Sequence, residues 1–246
     1  MKIVVYTAIF GDYSGLIEQP IQEGVDYICY TDQNLKSKIW EVKKIDLPVE
    51  NDNTRSNRYL KILAHKHLQE YDYSVYIDSN VLVIGDIKEL VNKYLYRYPM
   101  ACFDHNQNFK DPRDCIYDEY EAIIKLGEKK GKYKDDPEVM KKQMDFFKQQ
   151  GYPEHNGLIS ASTLVRKHND PTVIQLMEDW WNLVNTQSRR DQLSFNYVAW
   201  KNSFTYEIIP GDVRKGNVWV CMLGGHKKNY WKKILKYRIK KLLRIN

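Results

Sequence analysis

A carboxylate and an amide stand two residues apart in Tyr76-Ile77-Asp78-Ser79-Asn80, at the end of an apolar run. If that run is a strand, the side chains at 78 and 80 leave the same face and two oxygen ligands converge. Such a pair suits a hard divalent cation, Mn²⁺ or Mg²⁺, which neutralises a diphosphate and stabilises it as a leaving group. A short Asp-containing loop after a strand is also an ordinary turn, with Asn80 favouring the bend. The spacing leaves both readings open.

Other residues offer complementary chemistry. Arg55, Arg58 and Lys61 recur every three residues, so a helix would set them on one face, able to meet a diphosphate or the base of a nucleotide. A solvated helix face is the alternative. Asp191 follows Arg189-Arg190 and opens a segment of helical pattern, where it can bind sugar hydroxyls or serve as a base. Aspartate is equally suited to capping that helix. In Gly224-Gly225-His226-Lys227-Lys228 the glycines permit close backbone approach to phosphate and the lysines supply point charges, although a lone histidine beside lysines is more often just surface. His105 and Cys115 do not by themselves make a zinc site, since four suitably spaced ligands are missing.

Particular elements must bring these groups together. Residues 3–10 form a near-continuous apolar, β-branched run closed by Gly11 and Asp12, the pattern of a central strand. Residues 27–30 and 39–42 read as further strands. The spacing of Tyr59, Leu60, Leu63, Ala64, His67 and Leu68 predicts a helix over 54–69, capped by Asn53 or Thr54. Residues 74–84 read as strand, polar interruption, strand, followed by a helix over 86–96. A strand at 100–103 opens into a polar stretch, 104–154, holding two helical segments. A strand at 158–165 and helices at 171–184 and 191–200 follow, with Pro171 in a first-turn position, then short strands near 205–209 and 218–222. This alternation predicts an α/β fold with a mainly parallel sheet, helices on both faces, and ligands at the carboxyl ends of the strands.

Composition narrows the function classes. With 246 residues and 43% hydrophobic content the chain can bury a large core. Nine of the 38 basic residues lie between Lys227 and Arg244 with no acidic residue among them. The rest of the chain is slightly acidic, which disfavours a nucleic-acid surface. That basic segment, 227–246, is set apart from a body of 1–226. Within it Trp231, Leu235, Ile239 and Leu242, with Ile234 and Leu243, form an apolar stripe suited to an anionic membrane surface or to packing on the protein's own body. Cys29, Cys102, Cys115 and Cys221 lack a CxxC pair and read as reduced thiols in a cytoplasmic setting. The first ten residues lack a following cleavage site, and no run of 18 apolar residues occurs.

The motifs then combine into a resemblance. Asp78-Ser79-Asn80 looks like the DXD motif of GT-A glycosyltransferases, with Asn in place of the second Asp. YTAIFGDY at 6–13, CYTD at 29–32, NTRSNRYLK at 53–61 and RDQLSFNYV at 190–198 resemble, in order, the glycosyltransferase-like family whose plant members are linked to cell-wall mucilage. Asn156-Gly157, Asp191-Gln192 and His226 resemble, more loosely, retaining enzymes of the glycogenin and galactosyltransferase type.

The resemblance implies a GT-A, Rossmann-like domain with a basic amphipathic C-terminal helix. It implies transfer from a nucleotide diphosphate sugar, a UDP-sugar, to a glycan or lipid-linked acceptor, and the Asp-Gln match leans toward retention of anomeric configuration. Asp78, Asn80 and His226 would hold the metal. Thr7, Ala8, Asp32, Arg55, Lys61, Asp78 and Ser79 would face the nucleotide, with Asp191 and Gln192 at the reacting sugar. His105, Arg113, Glu119 and Asn156 would line the sugar or acceptor pocket. The expected setting is cell-surface polysaccharide synthesis at the inner face of the cell membrane. Two rivals stand beside this reading. One is a sugar nucleotidyltransferase, although IFGDYSG has only isolated glycines where a phosphate loop is expected. The other is a non-catalytic, membrane-attached binding module of the same fold, kept open by Asn80.

Overall fold

The computed structural model describes residues 1–225 and 230–242. Seven strands form one sheet in the order β3-β2-β1-β4-β7-β6-β8. They are β1 (Ile3–Ile9), β2 (Val25–Thr31), β3 (Glu41–Lys44), β4 (Tyr73–Ile77), β6 (Met100–Asp104), β7 (Ile159–Arg166) and β8 (Glu207–Ile209). β1 pairs in parallel with β2 and β4, β2 with β3, and β6 with β8, while β7 runs antiparallel to its neighbours β4 and β6. The mixed, mainly parallel sheet expected of a GT-A domain is present.

Both faces of that sheet are covered, which is why β1 is apolar but for Thr7 rather than alternating. Val4, Tyr6 and Ala8 join one core with residues of α1 (Asn53–Ile62), α3 (Ile116–Lys130), α4 (Pro137–Gln149), α5 (Pro171–Thr186) and α6 (Phe195–Lys201). Ile3, Val5 and Ile9 join a second core with α2 (Ile87–Tyr94). The broken strand at 74–84 is a change of sheet: β5 (Val81–Val83) leaves the main sheet to pair with β9 (Val220–Met222). α7 (Trp231–Leu242) completes the described chain.

Three boundaries differ from expectation. α1 is capped by Asp52, whose side chain accepts from Arg55 N–H, rather than by Asn53 or Thr54. It stops at Ile62 because Leu63 leaves helical geometry, and Ala64–Lys66 forms a separate 3-10 turn. The segment 191–200 splits into a 3-10 turn at Asp191–Leu193 and then α6, with Arg190 rather than Asp191 at the cap position.

A buried cation ties α1 to the sheet. Arg166 of β7 is fully buried and donates to Lys61 O at 2.8 Å, Ile62 O at 3.1 Å and the Tyr6 hydroxyl. Tyr6 in turn donates to Lys61 O at 2.7 Å. The end of α1 is thereby fixed over β1 and β7, and Lys61 with it.

His168, buried just past β7, supplies a pH-dependent element. It faces a carbonyl, Leu68 O, at 2.7 Å, so Nε2 must carry a proton and donate. Burial pushes its pKa down to about 4, against about 6.5 when unfolded. Its contribution is therefore complete above pH 6.5 and declines as pH falls toward 4, by up to about 3 kcal/mol. Urea unfolding at pH 7 and pH 4.5 should show that loss in the wild type and a smaller one in His168→Gln.

All four cysteines are free, three buried and Cys221 partly so. Among the described residues no helix is long and apolar enough to cross a membrane.

Candidate active site

The carboxyl ends of β1 and β4 open into a cavity of about 960 Å³. Ala8 to Phe10, Asp12 and Tyr13 form one wall, the first turns of α1 a second, and Tyr76, Asp78 and Ser79 its floor. Leu126 to Lys134 and Arg189-Arg190 close the far side. Gly11 shapes the first wall. Its φ is +62°, and a Cβ there would lie 2.3 Å from Asn53 Nδ2, so any other residue would be strained and would displace the Asn53 side chain. Asp32 holds the same loop by accepting from Gly11 N–H at 3.0 and 3.1 Å.

Asp78 sits in a tight turn pinned on several sides. Its N–H donates to Ser162 O at 2.9 Å, its carbonyl accepts from Val81 N–H at 2.9 Å, and Asn80 O accepts from Leu223 N–H at 2.9 Å. One carboxylate oxygen accepts from Tyr76 OH at 2.9 Å. Strand alternation ends at Ile77, so Asp78 and Asn80 are not aimed together by a pleat, contrary to expectation. Asp78 and Ser79 line the cavity, whereas the Asn80 side chain is buried beside it. Asn80 Oδ1 is buried without a hydrogen-bond partner. A carboxylate and an amide oxygen are the donor types a hard divalent cation takes, and the Asn80 oxygen has no other partner. His226 lies outside the described residues. Among those described, Cys115, Asp118 and His155 are a group whose ligand atoms lie within 4.8 Å of one another, and none of the three lines the cavity.

Asp191 is nearly sealed, at 2% exposure. Its carboxylate takes a salt bridge from Lys61, itself 2% exposed, and another from Arg58 Nε at 3.1 Å. Burial alone would raise its pKa, but Arg58, Lys61 and Arg190 outweigh that and hold it well below the usual carboxylate range. A carboxylate paired with two cations is well placed to position them. It does not line the cavity. What reaches the cavity is Arg58, oriented by Asp191 on one side and Asn57 on the other.

This reverses part of the reading of α1. Arg55, expected at the nucleotide, turns away: Nε donates to Val184 O at 3.0 Å, one terminal nitrogen to Gln187 O at 2.7 Å and the other to Asp52 at 2.8 Å. Its donors are spent on the end of α5. Lys61 is sealed against Asp191, and Arg58, at the same spacing, is the member on the cavity. The periodicity marked one face but not which members would be drawn to carbonyls of a neighbouring helix.

The remaining expected residues divide likewise. Ala8 lines the cavity, while Thr7 is fully buried and absent from the lining. Gln192 donates to Ile159 O at 2.8 Å and secures the start of β7. Asn156 is exposed and away from the cavity. Glu119, buried, takes Arg113 at 2.7 Å and faces Arg190 at 3.9 Å, so this pair reaches the cavity only through Arg190. His105 is pushed below its ordinary pKa by burial and is not in the lining. Missed altogether were Lys130, the last residue of α3, and Lys132 and Lys134 in the connection that follows it. Their close spacing in sequence was the available signal.

The cavity thus sets two carboxylates, Asp12 and Asp78, opposite a wall of cations. A family model described as TOD1/MUCI70, glycosyltransferase-like domain matches residues 25–213. The chain belongs to this family. A probable hexosyltransferase MUCI70 of Arabidopsis thaliana is 25% identical over 175 residues, covering 68% of this chain and 28% of that protein. The chain therefore spans little more than a quarter of that relative's length. Among solved structures, the bifunctional glycosyltransferase WbbM aligns with a TM-score of 0.46 at 13% identity, covering 97% of this chain and 44% of that one. Mouse xyloside xylosyltransferase 1 aligns at 0.48 and 9% identity, covering 89% and 96%.

Proposed function

We propose that this chain transfers a sugar from a nucleotide diphosphate sugar, a UDP-sugar, to a glycan or lipid-linked acceptor. The work would be cell-surface polysaccharide synthesis at the inner face of the cell membrane. The observation that carries the reading is the cavity at the carboxyl ends of β1 and β4, with Asp78 on its floor facing Arg58, Arg190, Lys130, Lys132 and Lys134. Membership in a glycosyltransferase-like family supports it.

In the transfer, the bond from the anomeric carbon to the diphosphate oxygen breaks and its electron pair leaves with the phosphate. An acceptor hydroxyl oxygen bonds to that carbon and gives up its proton, which the departing diphosphate oxygen can take. Asp78 and Asn80, with His226, would hold a divalent cation, Mn²⁺ or Mg²⁺, which supplies charge neutralisation for the leaving diphosphate. Arg58 adds a fixed cation in a site partly closed to water, where such a charge acts strongly. Asp191 and Asn57 hold Arg58 in place, and Ser79 on the floor and Ala8 on the wall would face the nucleotide.

The test is a calorimetric titration of the intact chain with UDP, GDP, CDP and ADP, with Mn²⁺, with Mg²⁺ and with chelator. Metal-dependent binding of UDP in preference to the others is expected. No nucleotide binding in any condition would remove the proposal and favour a binding module of the same fold. Nucleotide binding with turnover only in the presence of a sugar phosphate would favour a nucleotidyltransferase.

Tyr133 gives an independent check. It lies on Gly127 of α3, where an added Cβ would come within 2.1 Å of its ring, and it lines the cavity. Gly127→Ala should favour the helix by up to about 1 kcal/mol while displacing Tyr133. We expect turnover to fall about tenfold to a hundredfold with no loss of melting temperature. Unchanged turnover would detach Tyr133 from the site.

A further inference from the structure

α7 presents two apolar faces. At about 100° per residue, Tyr230, Ile234 and Tyr237 fall on one side. There Tyr230 is buried, and Ile234 and Tyr237 pack with Ile17 and Leu82. Ile234 therefore belongs to the body and not to the stripe assigned to it from sequence, while Leu243 lies outside the described residues. Trp231, Leu235, Ile239 and Leu242 fall within about 80° of arc on another side, and they are 56%, 49%, 49% and 85% exposed. Packing on the body and an outward apolar stripe were alternatives in the sequence. The structure uses both, on different faces.

The stripe has charged flanks. Lys232 and Lys236 lie along one edge and Arg238 along the other, all exposed. Residues 231–242 contain six basic side chains and no acidic one. A second copy laid on this stripe by twofold symmetry would bring like-charged flanks together. A negatively charged planar surface with an apolar interior satisfies both the flanks and the stripe.

We propose that this face of α7 docks flat on an anionic lipid surface. Its apolar side chains enter the boundary between headgroups and acyl chains, and its cations meet acidic headgroups. This deepens the membrane placement above but rests on none of the site chemistry, so either can fail without the other. The body outside the tail is slightly acidic, so the attraction is local to α7 and sets the orientation of the docked molecule.

The experiment is co-sedimentation of the full chain with vesicles of phosphatidylcholine alone and of phosphatidylcholine containing phosphatidylglycerol, at low and high salt. Binding to the anionic vesicles should exceed binding to neutral ones at least about tenfold and weaken with salt. Leu235→Gln with Ile239→Gln, both at exposed positions, should lower it about tenfold or more with an unchanged circular dichroism spectrum. Lys232→Gln and Lys236→Gln should each lower it about fivefold. Absent binding, equal binding to neutral vesicles, or indifference to the glutamine pair would overturn the proposal. So would a vesicle-free, concentration-dependent dimer abolished by that pair, which would assign the stripe to a second copy.

Discussion

Asp191→Ala should cost about 3–5 kcal/mol of folding stability, because it strands Lys61 and the inner end of Arg58 without their counter-charge in a sealed site. Lys61→Met removes a buried cation but leaves Asp191 with Arg58, so its cost should be smaller. A Lys61→Met/Asp191→Ala chain removes the sealed pair as a unit. It should recover most of the loss, and a double-mutant cycle by urea unfolding should give a coupling of about 2 kcal/mol or more. Additive losses would mean that the two side chains are not held as a pair.

The pH dependence has a definite sign. Asp191 is held below the usual carboxylate range, so its stabilisation is present above pH 4 and is lost as pH falls further. Acid unfolding of the wild type below that point should be steeper than that of the double variant. Arg58 also loses its anchor in Asp191→Ala, so nucleotide affinity should fall in the same variant even under conditions where it is folded.

Asp78→Ala should remove the metal-dependent part of nucleotide binding, on the order of a hundredfold, while changing stability by less than about 1 kcal/mol, since the side chain's hydrogen bond is a single one from Tyr76. The informative companion is Asn80→Asp. If the orphaned Asn80 oxygen belongs to the ligand set, a second carboxylate should tighten Mn²⁺ about tenfold. If it does not, an added buried charge with no counter-ion should destabilise the chain and leave Mn²⁺ affinity unchanged. Titration of Mn²⁺ followed by electron paramagnetic resonance, alongside melting temperature, separates the two. Metal-dependent binding that survives Asp78→Ala would sink the assignment of the Asp78 turn as the metal site.

Much of this architecture was legible because the sheet is buried on both faces, so β1, β2 and β4 are written as largely apolar runs that interrupt the helical periodicities. Asp78 was legible for a related reason: a polar cluster inside such a run has to mark a place where the chain leaves the core. Arg55 and Arg58 show where that legibility stops. Both lie on the same face at the same spacing, and their division depends on where α5 ends, a contact 129 and 132 residues away in sequence. The pairing of Asp191 with Lys61 was hidden likewise, since each residue taken alone looks like an exposed polar group. Lys130, Lys132 and Lys134 did not stand out from the polar stretch 104–154, because nothing local says that this segment folds back over the strand ends.

One small hydrogen-bonded chain changes where this protein can be cut. Ser79, on the cavity floor, donates to Ser14 at 2.9 Å, and Ser14 lies 3.0 Å from the hydroxyl of Tyr230. Tyr230 also closes the small core formed with Ile17 and Leu82. A chain trimmed at the change of composition near residue 226 would therefore lose a wall of the body along with its tail. Water would reach Ser14 and, one bond further, the turn that carries Asp78. Such a shortened chain would be a poor control for the role of the tail, because it also alters the floor of the cavity. In packing, the seam runs lengthwise through α7, between the residues that look inward and those that look out.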